Sequence, residues 1–493
     1  MKARLLKLLD VEPEESGPVF YLLAISFLLG MFLATVTVAA QTLFLNNFSE
    51  RLDLPQALVI SGVFGIIATT IYNILQGRIP FRVLGFGTLL IILLLTAGIE
   101  FGEKYVEDVK TLYYYGFTLI LPFTFMTSLV FWGAFARMFN LRQSKRIIGS
   151  VDLGTMIAQI LAFFTIPVLL NAGVSTESLF TVGLFSILGY LILFAIMANK
   201  YLGKTRLASA DDEEEHKKLS VLGFLKNRYI VLMAVFIIIS MTALRFIDYS
   251  FFNATVNQYQ TNKEGLPYFL SLFEATIVIF SFLFTMLATD RLNQDYGLRV
   301  SLLVNPILLL LFTGSAFALG SFFGFDPSKD GNSVIFFFIM VAMSKLFINA
   351  FRDALDSPTF KFYYVPIEKS IKLDTQTKIE GVVTALASTI AGGLIVLINQ
   401  FHFFNLLSVT LFTIPLLVLW YWVTNKMYHG YRDTLQSSLM KNKSNLDKDI
   451  SKEYTMDSVL EKEVQSTAEQ KVVYGLRLME KLEPALFESS IIR

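Results

Sequence analysis

Four ionisable residues interrupt apolar stretches in the second half of the chain: Arg245 and Asp248 in LRFIDYSFF, Glu274 in SLFEAT and Lys345 in AMSKLF. A charge at the centre of a bilayer costs at least about 2.5–3.5 kcal/mol on insertion scales, so such a residue normally faces a partner or a watery cavity. The chemistry open to these residues is ion pairing and the binding of a charged solute. Arg245 and Asp248 are one helical turn apart and can satisfy each other. With a rise of about 1.5 Å per residue, Arg245 lies about 24 Å into its stretch and Glu274 about 9 Å below the opposite surface, a similar depth that allows them to pair. Lys345 lies about 16 Å from the outer end of its stretch, near the midplane where transporter sites sit, with no acid within one turn on its own helix. It is the leading candidate for contact with a solute. The competing reading makes Arg245, Asp248 and Glu274 an internal ion-pair cluster that pins helices and binds nothing.

Other chemistries lack their residues. The chain has no Cys, which removes disulfides, thiol catalysis and Cys-ligated metal. His216, His402 and His429 are scattered, with no second ligand at metal spacing. No G-x-x-x-x-G-K-[ST] loop is present, nor a G-x-G-x-x-G after a strand, so the chain does not read as an ATP-driven pump. It reads as neither an enzyme nor the carrier of a cofactor. The polar residues of the first half, Thr35, Thr37, Gln41, Asn46, Tyr72, Asn73 and Gln159, are uncharged types that helix packing in lipid also favours, and packing is their expected role.

The elements that must position these side chains follow from composition. Of 493 residues, 54% are hydrophobic and only 16% charged, against about a quarter charged in soluble domains. The mean hydropathy is +0.58, and a net charge of +1 argues against nucleic acid as a partner. The lipid bilayer is the first partner. Twelve largely apolar stretches, from Pro18–Asn46 to Phe403–Val423, are long enough to cross it, because only a closed helix satisfies its backbone in lipid. The fourth is expected over Leu112–Phe135. Basic residues gather in the loops after the even-numbered stretches, which puts both termini in the cytoplasm. The DDEEEHKK linker at the midpoint divides the twelve into six plus six. The expectation is an all-α membrane protein of twelve transmembrane helices in two parallel six-helix halves, 18–198 and 229–423. These join a cytoplasmic N-terminus (1–17), a charged cytoplasmic linker (199–228) and a short cytoplasmic helical tail (424–493).

Two loops suggest that one half is an old copy of the other. Ala350–Val382 carries Arg352, Lys361, Lys369, Lys372 and Lys378 with five acids between two apolar runs, and is expected to cross a loop on one face of the membrane. The shorter Ala136–Thr155, containing SKRIIGSVDLGT, is its first-half counterpart. Arg78 and Arg82 after the second stretch match Asp290, Arg291, Gly297 and Arg299 after the eighth, where major facilitator transporters place a basic, Gly-containing turn. Arg352, Lys378 and the loop residues Arg146, Asp152 and Glu380 join the candidates for solute contact or gating.

The run Phe362-Tyr363-Tyr364-Val365-Pro366-Ile367, the basic cluster after it, and Lys378-Ile379-Glu380-Gly381-Val382 resemble the ATP/ADP translocase family. Phe139–Gly154 is similar to that family's corresponding loop. The resemblance implies a major-facilitator-like fold and exchange of nucleotides by alternating access, with basic side chains on the phosphates. The family places charged residues in its first span, whereas Pro18–Phe48 here has no Lys, Arg, Asp or Glu. The tail carries an apolar stripe at Val472, Val473, Leu476, Leu478, Met479 and Leu482. That stripe is similar to the first helix of a HEAT-type repeat, as in the family's bacterial branch, and implies a longer protein in the inner membrane; a single helix docked on the cytoplasmic face is the alternative. The function expected is secondary transport of an anionic solute such as ATP or ADP. The alternative is a non-transporting scaffold or sensor whose tail recruits a protein partner.

Overall fold

The computed structural model describes residues 12, 15–48, 52–76, 78–102, 105–139, 141–202, 221–260, 262–289, 291–325, 334–401 and 404–450. Within them, twelve helices are long and apolar enough to cross a membrane. Spans 1 to 6 cover Ser16–Asn47, Asp53–Gln76, Phe81–Gly102, Ile120–Met138, Leu153–Asn171 and Leu179–Leu202. Spans 7 to 12 cover Arg228–Tyr259, Gly265–Thr289, Leu292–Phe323, Ile335–Phe362, Asp374–Gln400 and Leu406–Ser437. The protein is all-α, with the two six-helix halves of the major-facilitator architecture. Large apolar side chains such as Phe20, Val168, Phe185 and Phe322 remain exposed around the bundle, as a surface bathed in hydrocarbon requires.

Several elements depart from the sequence expectation. The fourth stretch is two helices, Val109–Thr118 and Ile120–Met138, broken at Leu119. Pro122 has no N–H to donate to the carbonyl of Thr118, which ends the first helix there. Arg352 and Lys361 are not loop residues: span 10 continues through a π-helical turn at Arg352–Asp356 into a helix over Ser357–Phe362, which opens with Pro358 in its first turn. Lys378 and Glu380 likewise lie in a π-helical turn, Lys378–Val383, that leads into the helix Thr384–Gln400. Each π turn shifts the helical face that follows it. The last helix runs over Leu406–Ile450, past the expected end of the twelfth stretch at Val423; residues 431–450 contain no Gly or Pro to stop it.

The chain divides into two compact units, Met1–His429 and Gly430–Arg493. In the second unit the described residues belong to the helix Leu406–Ile450, and the expected HEAT-like stripe at Val472–Leu482 lies outside the described residues.

Within the first unit the halves meet where small residues let backbones approach, the usual device where lipid gives no hydrophobic drive between helices. Span 2 packs along span 11 in this way. A Cβ on Gly392 would lie 2.7 Å from the Val59 backbone nitrogen, and one on Gly62 would be 2.7 Å from that of Thr389. At the Asn47 end of the bundle, an aromatic cluster joins both halves: Phe44 stacks on Phe117 at 4.3 Å, and Phe117 meets Phe252 edge-on at 6.1 Å. Tyr268 Oη donates to Asn171 Oδ1 at 3.0 Å, and Lys263 Nζ to the Asn46 carbonyl at 3.2 Å.

The helix contact makes a sharp prediction. Gly392→Val forces the two backbones apart and destabilises the protein by about 1–3 kcal/mol, the usual cost of overpacking. Gly393→Val, whose Cβ meets nothing within 4 Å, leaves the thermal unfolding midpoint in detergent at or above the wild-type value.

Candidate functional site

The ionisable residues of the second half meet because spans 7 and 10 run side by side. Asp248, on span 7, is 3% exposed. Its Oδ2 accepts a hydrogen bond from Arg245 Nη1 at 3.0 Å, from one turn earlier on the same helix. Its Oδ1 accepts a hydrogen bond from Lys345 Nζ, which comes from span 10. Arg245 Nε also donates to Ser388 Oγ on span 11 at 3.3 Å. The Lys345 ammonium lies 5.5 Å from the centre of the Phe252 ring, in cation–π range. One carboxylate thus compensates two buried cations and leaves the trio one positive charge in excess.

This trio forms part of the wall of a cavity of about 550 Å³ between the two halves, which is in the usual range of about 300–1,000 Å³ for small-molecule sites. Lining residues come from spans 1, 2 and 4 on one side and spans 7, 8, 10, 11 and 12 on the other. Phe117 and Phe252 of the aromatic cluster line the cavity toward the Asn47 end, and its lining also reaches the exposed Lys361 and Glu380.

Of the sequence candidates, Arg245, Asp248, Glu274, Lys345, Arg352 and Glu380 line the cavity. Arg352 comes in through the π turn at Arg352–Asp356, with its Nε on Asp353 Oδ1 at 3.2 Å. Glu380 accepts from Gln376 Nε2 at 3.1 Å. The Arg245–Glu274 pair allowed by depth does not form, because Asp248 stands one turn from Arg245 on its own helix and takes the guanidinium; Glu274 faces the cavity from span 8. Lys378 is not among the lining residues and pairs instead with Asp374 at 2.6 Å. Arg146 and Asp152 lie on the helix Leu141–Asn171, and their side chains are outside the described residues. Of the polar first-half residues, Thr37 and Gln41 reach the cavity. Thr35 instead donates to the Met31 carbonyl of its own helix at 2.9 Å, and Tyr72 is buried in the first-half core.

Sequence reasoning missed Asp356 and Trp420. Asp356 is one turn beyond Arg352, a spacing visible in the sequence, and takes a hydrogen bond from Asn305 Nδ2 at 2.6 Å. Trp420 gave no signal, since a Trp in an apolar stretch reads as packing. In the FYYVPI motif the two tyrosines turn inward, while Phe362 and Val365 are exposed. Tyr363 and Tyr364 are buried against Phe360, and Tyr229 Oη donates to the Tyr363 carbonyl at 2.5 Å. Burial, reinforced by the nearby Glu380 charge, pushes the Tyr364 phenol far above its ordinary range.

Asp248→Asn removes the charge that offsets both cations, and it costs about 3–5 kcal/mol, the range for breaking a buried ion pair. Lys345→Met costs less, since Asp248 keeps Arg245. The double substitution Asp248→Asn/Lys345→Met is more stable than Asp248→Asn alone. A double-mutant cycle on unfolding free energies checks all three.

Comparison with known proteins gives a family and a fold. The model of the TLC ATP/ADP transporter family matches residues 111–431, well over half of the chain. Among solved structures, the nucleoside transporter NupG aligns with a TM-score of 0.58 at 13% identity, covering 83% of this chain and 99% of its own. A D-xylose–proton symporter aligns at 0.55 and 12% identity, covering 85% and 95%. A partially occluded, inward-open structure of the xylose transporter XylE from E. coli aligns at 0.56 and 12%, covering 83% and 98%. At these identities the likeness is one of fold. Among curated proteins no sequence matches.

Proposed function

We propose, from the premise that the chain belongs to the TLC ATP/ADP transporter family, that this secondary membrane transporter exchanges an anionic, nucleotide-like solute by alternating access. The observation that carries the reading is the convergence of Lys345 and Arg245 on Asp248 in the wall of a cavity between two six-helix halves. Asp248 compensates both cations. An entering phosphate or carboxylate offers the same two donors a second acceptor, and its charge-assisted hydrogen bonds are about twice as strong as neutral ones. Arg352 and Lys361 lie toward the exposed end of the cavity, where Asp356 and Glu380 also line the wall, and offer two further donors to an anion on the way in.

Alternating access needs a cargo that interacts differently with the two orientations of the halves. The aromatic seam at the Asn47 end supports a state closed on that side and accessible from the other. With the basic loops taken as cytoplasmic, that accessible side faces the cytoplasm, where both termini lie. A bacterial inner membrane is the location that goes with this reading. Packing of Arg245, Glu274 and Lys345 against one another without a cavity would favour a scaffold; the cavity that all three line favours transport.

The test is uptake of labelled ATP and ADP into proteoliposomes that contain the protein and are preloaded with nucleotide. Wild type exchanges the label, and Lys345→Ala falls to background while keeping the wild-type elution profile in detergent. A fully active Lys345→Ala variant overturns the assignment of Lys345.

A further inference from the structure

The cavity is sorted by charge. Among the described residues, the eight ionisable ones on its wall come from spans 7, 8, 10 and 11 of the second half. The described residues of the first half offer none; their polar lining is Thr37, Gln41, Ser61 and Thr124, set among Phe117 and Phe125. Within that neutral wall Gln41 stands out. It is only 7% exposed, and its amide Oε1 is buried with no hydrogen-bond partner. Buried polar groups are almost always paired, so an orphan on a residue that lines a cavity calls for an explanation. Thr124, on the same wall, is engaged elsewhere: its hydroxyl donates to the Ile120 carbonyl of its own helix at 2.9 Å.

We propose that Gln41 is a specificity-determining residue that holds the uncharged end of the solute, whose charge is confined to the other end. The orphan oxygen is an acceptor, so the group it selects carries an N–H or O–H donor. The Phe117 and Phe125 rings that share its wall fit a flat group. A solute built this way is a nucleoside phosphate: a planar, donor-bearing base on the neutral wall and phosphate at Lys345 and Arg245. Inorganic phosphate or a dicarboxylate has no part that needs Gln41. A first span without charge thus ceases to be a deficit, because a charged residue at Gln41 would stand against the neutral end. The inference rests on reading the cavity as the solute site.

The test separates the two ends of the cargo with two probes, adenosine and pyrophosphate, whose binding to the purified protein in detergent is measured for wild type and for Gln41→Met, which keeps the length of the side chain. The expected result is adenosine binding weakened at least about tenfold in the variant, the effect of leaving one buried hydrogen-bonding group unmatched. Pyrophosphate binding stays at the wild-type value. Equal adenosine binding by both proteins, or none by wild type, overturns the inference, and parallel loss of both probes makes Gln41 a packing residue and overturns it too. ADP exchange by wild type is read separately. Exchange with an adenosine response that ignores Gln41 leaves the nucleotide reading standing and removes this one. Gln41-dependent adenosine binding without ADP exchange does the reverse.

Discussion

The structure turns on how charge is held where there is little water to solvate it. Asp248 lies in a span that must cross hydrocarbon, and it is tolerable there because Arg245 and Lys345 both bond to it. The dependence is mutual. Neither cation has another carboxylate within ion-pair distance among the described residues, so one side chain fixes the relative placement of spans 7 and 10. The trio itself carries one positive charge in excess, and the shared carboxylate keeps Arg245 and Lys345 from standing as an uncompensated pair of cations.

That arrangement needs a rigid frame with a space in it. Where helices 2 and 11 meet, Gly62 and Gly392 let the backbones touch, so the halves are held together by contact along these helices and not by filling the centre. Phe117 and Phe252 of the aromatic cluster line it toward the Asn47 end, and the π turns at Arg352–Asp356 and Lys378–Val383 bring Arg352 and Glu380 to its wall. A straight helix through either segment would present a different face. The basic segment Ala350–Val382 is therefore partly a wall and partly a connection: Arg352 and Lys361 line the cavity, while Tyr363 and Tyr364 pack the turn that follows.

Much of this was legible in the sequence because the bilayer enforces simple rules. Twelve apolar runs and a charged midpoint gave the fold class, and the two loop motifs gave the family. Arg245 and Asp248 were recognisable as partners because i, i+3 neighbours share a helix face. The Arg245–Glu274 pairing failed for a reason that depth alone does not contain: two residues at the same height meet only if their helices turn the right faces to each other. Lys378 looked equivalent to Arg352 by charge and position, yet its local partner Asp374 takes it away from the cavity.

The sequence by itself determined the solvent, the number of crossings and which residues were too costly to bury alone, since these depend on composition and on periodicity along one chain. Only the tertiary structure decided which of them meet, because side-chain direction on neighbouring helices depends on rotation and crossing, neither of which is written in hydropathy. It placed Lys345 on Asp248 across 97 residues of chain. It also brought ionisable residues of the second half and the uncharged Gln41 of the first to one cavity, with the Gln41 amide oxygen buried and unpartnered.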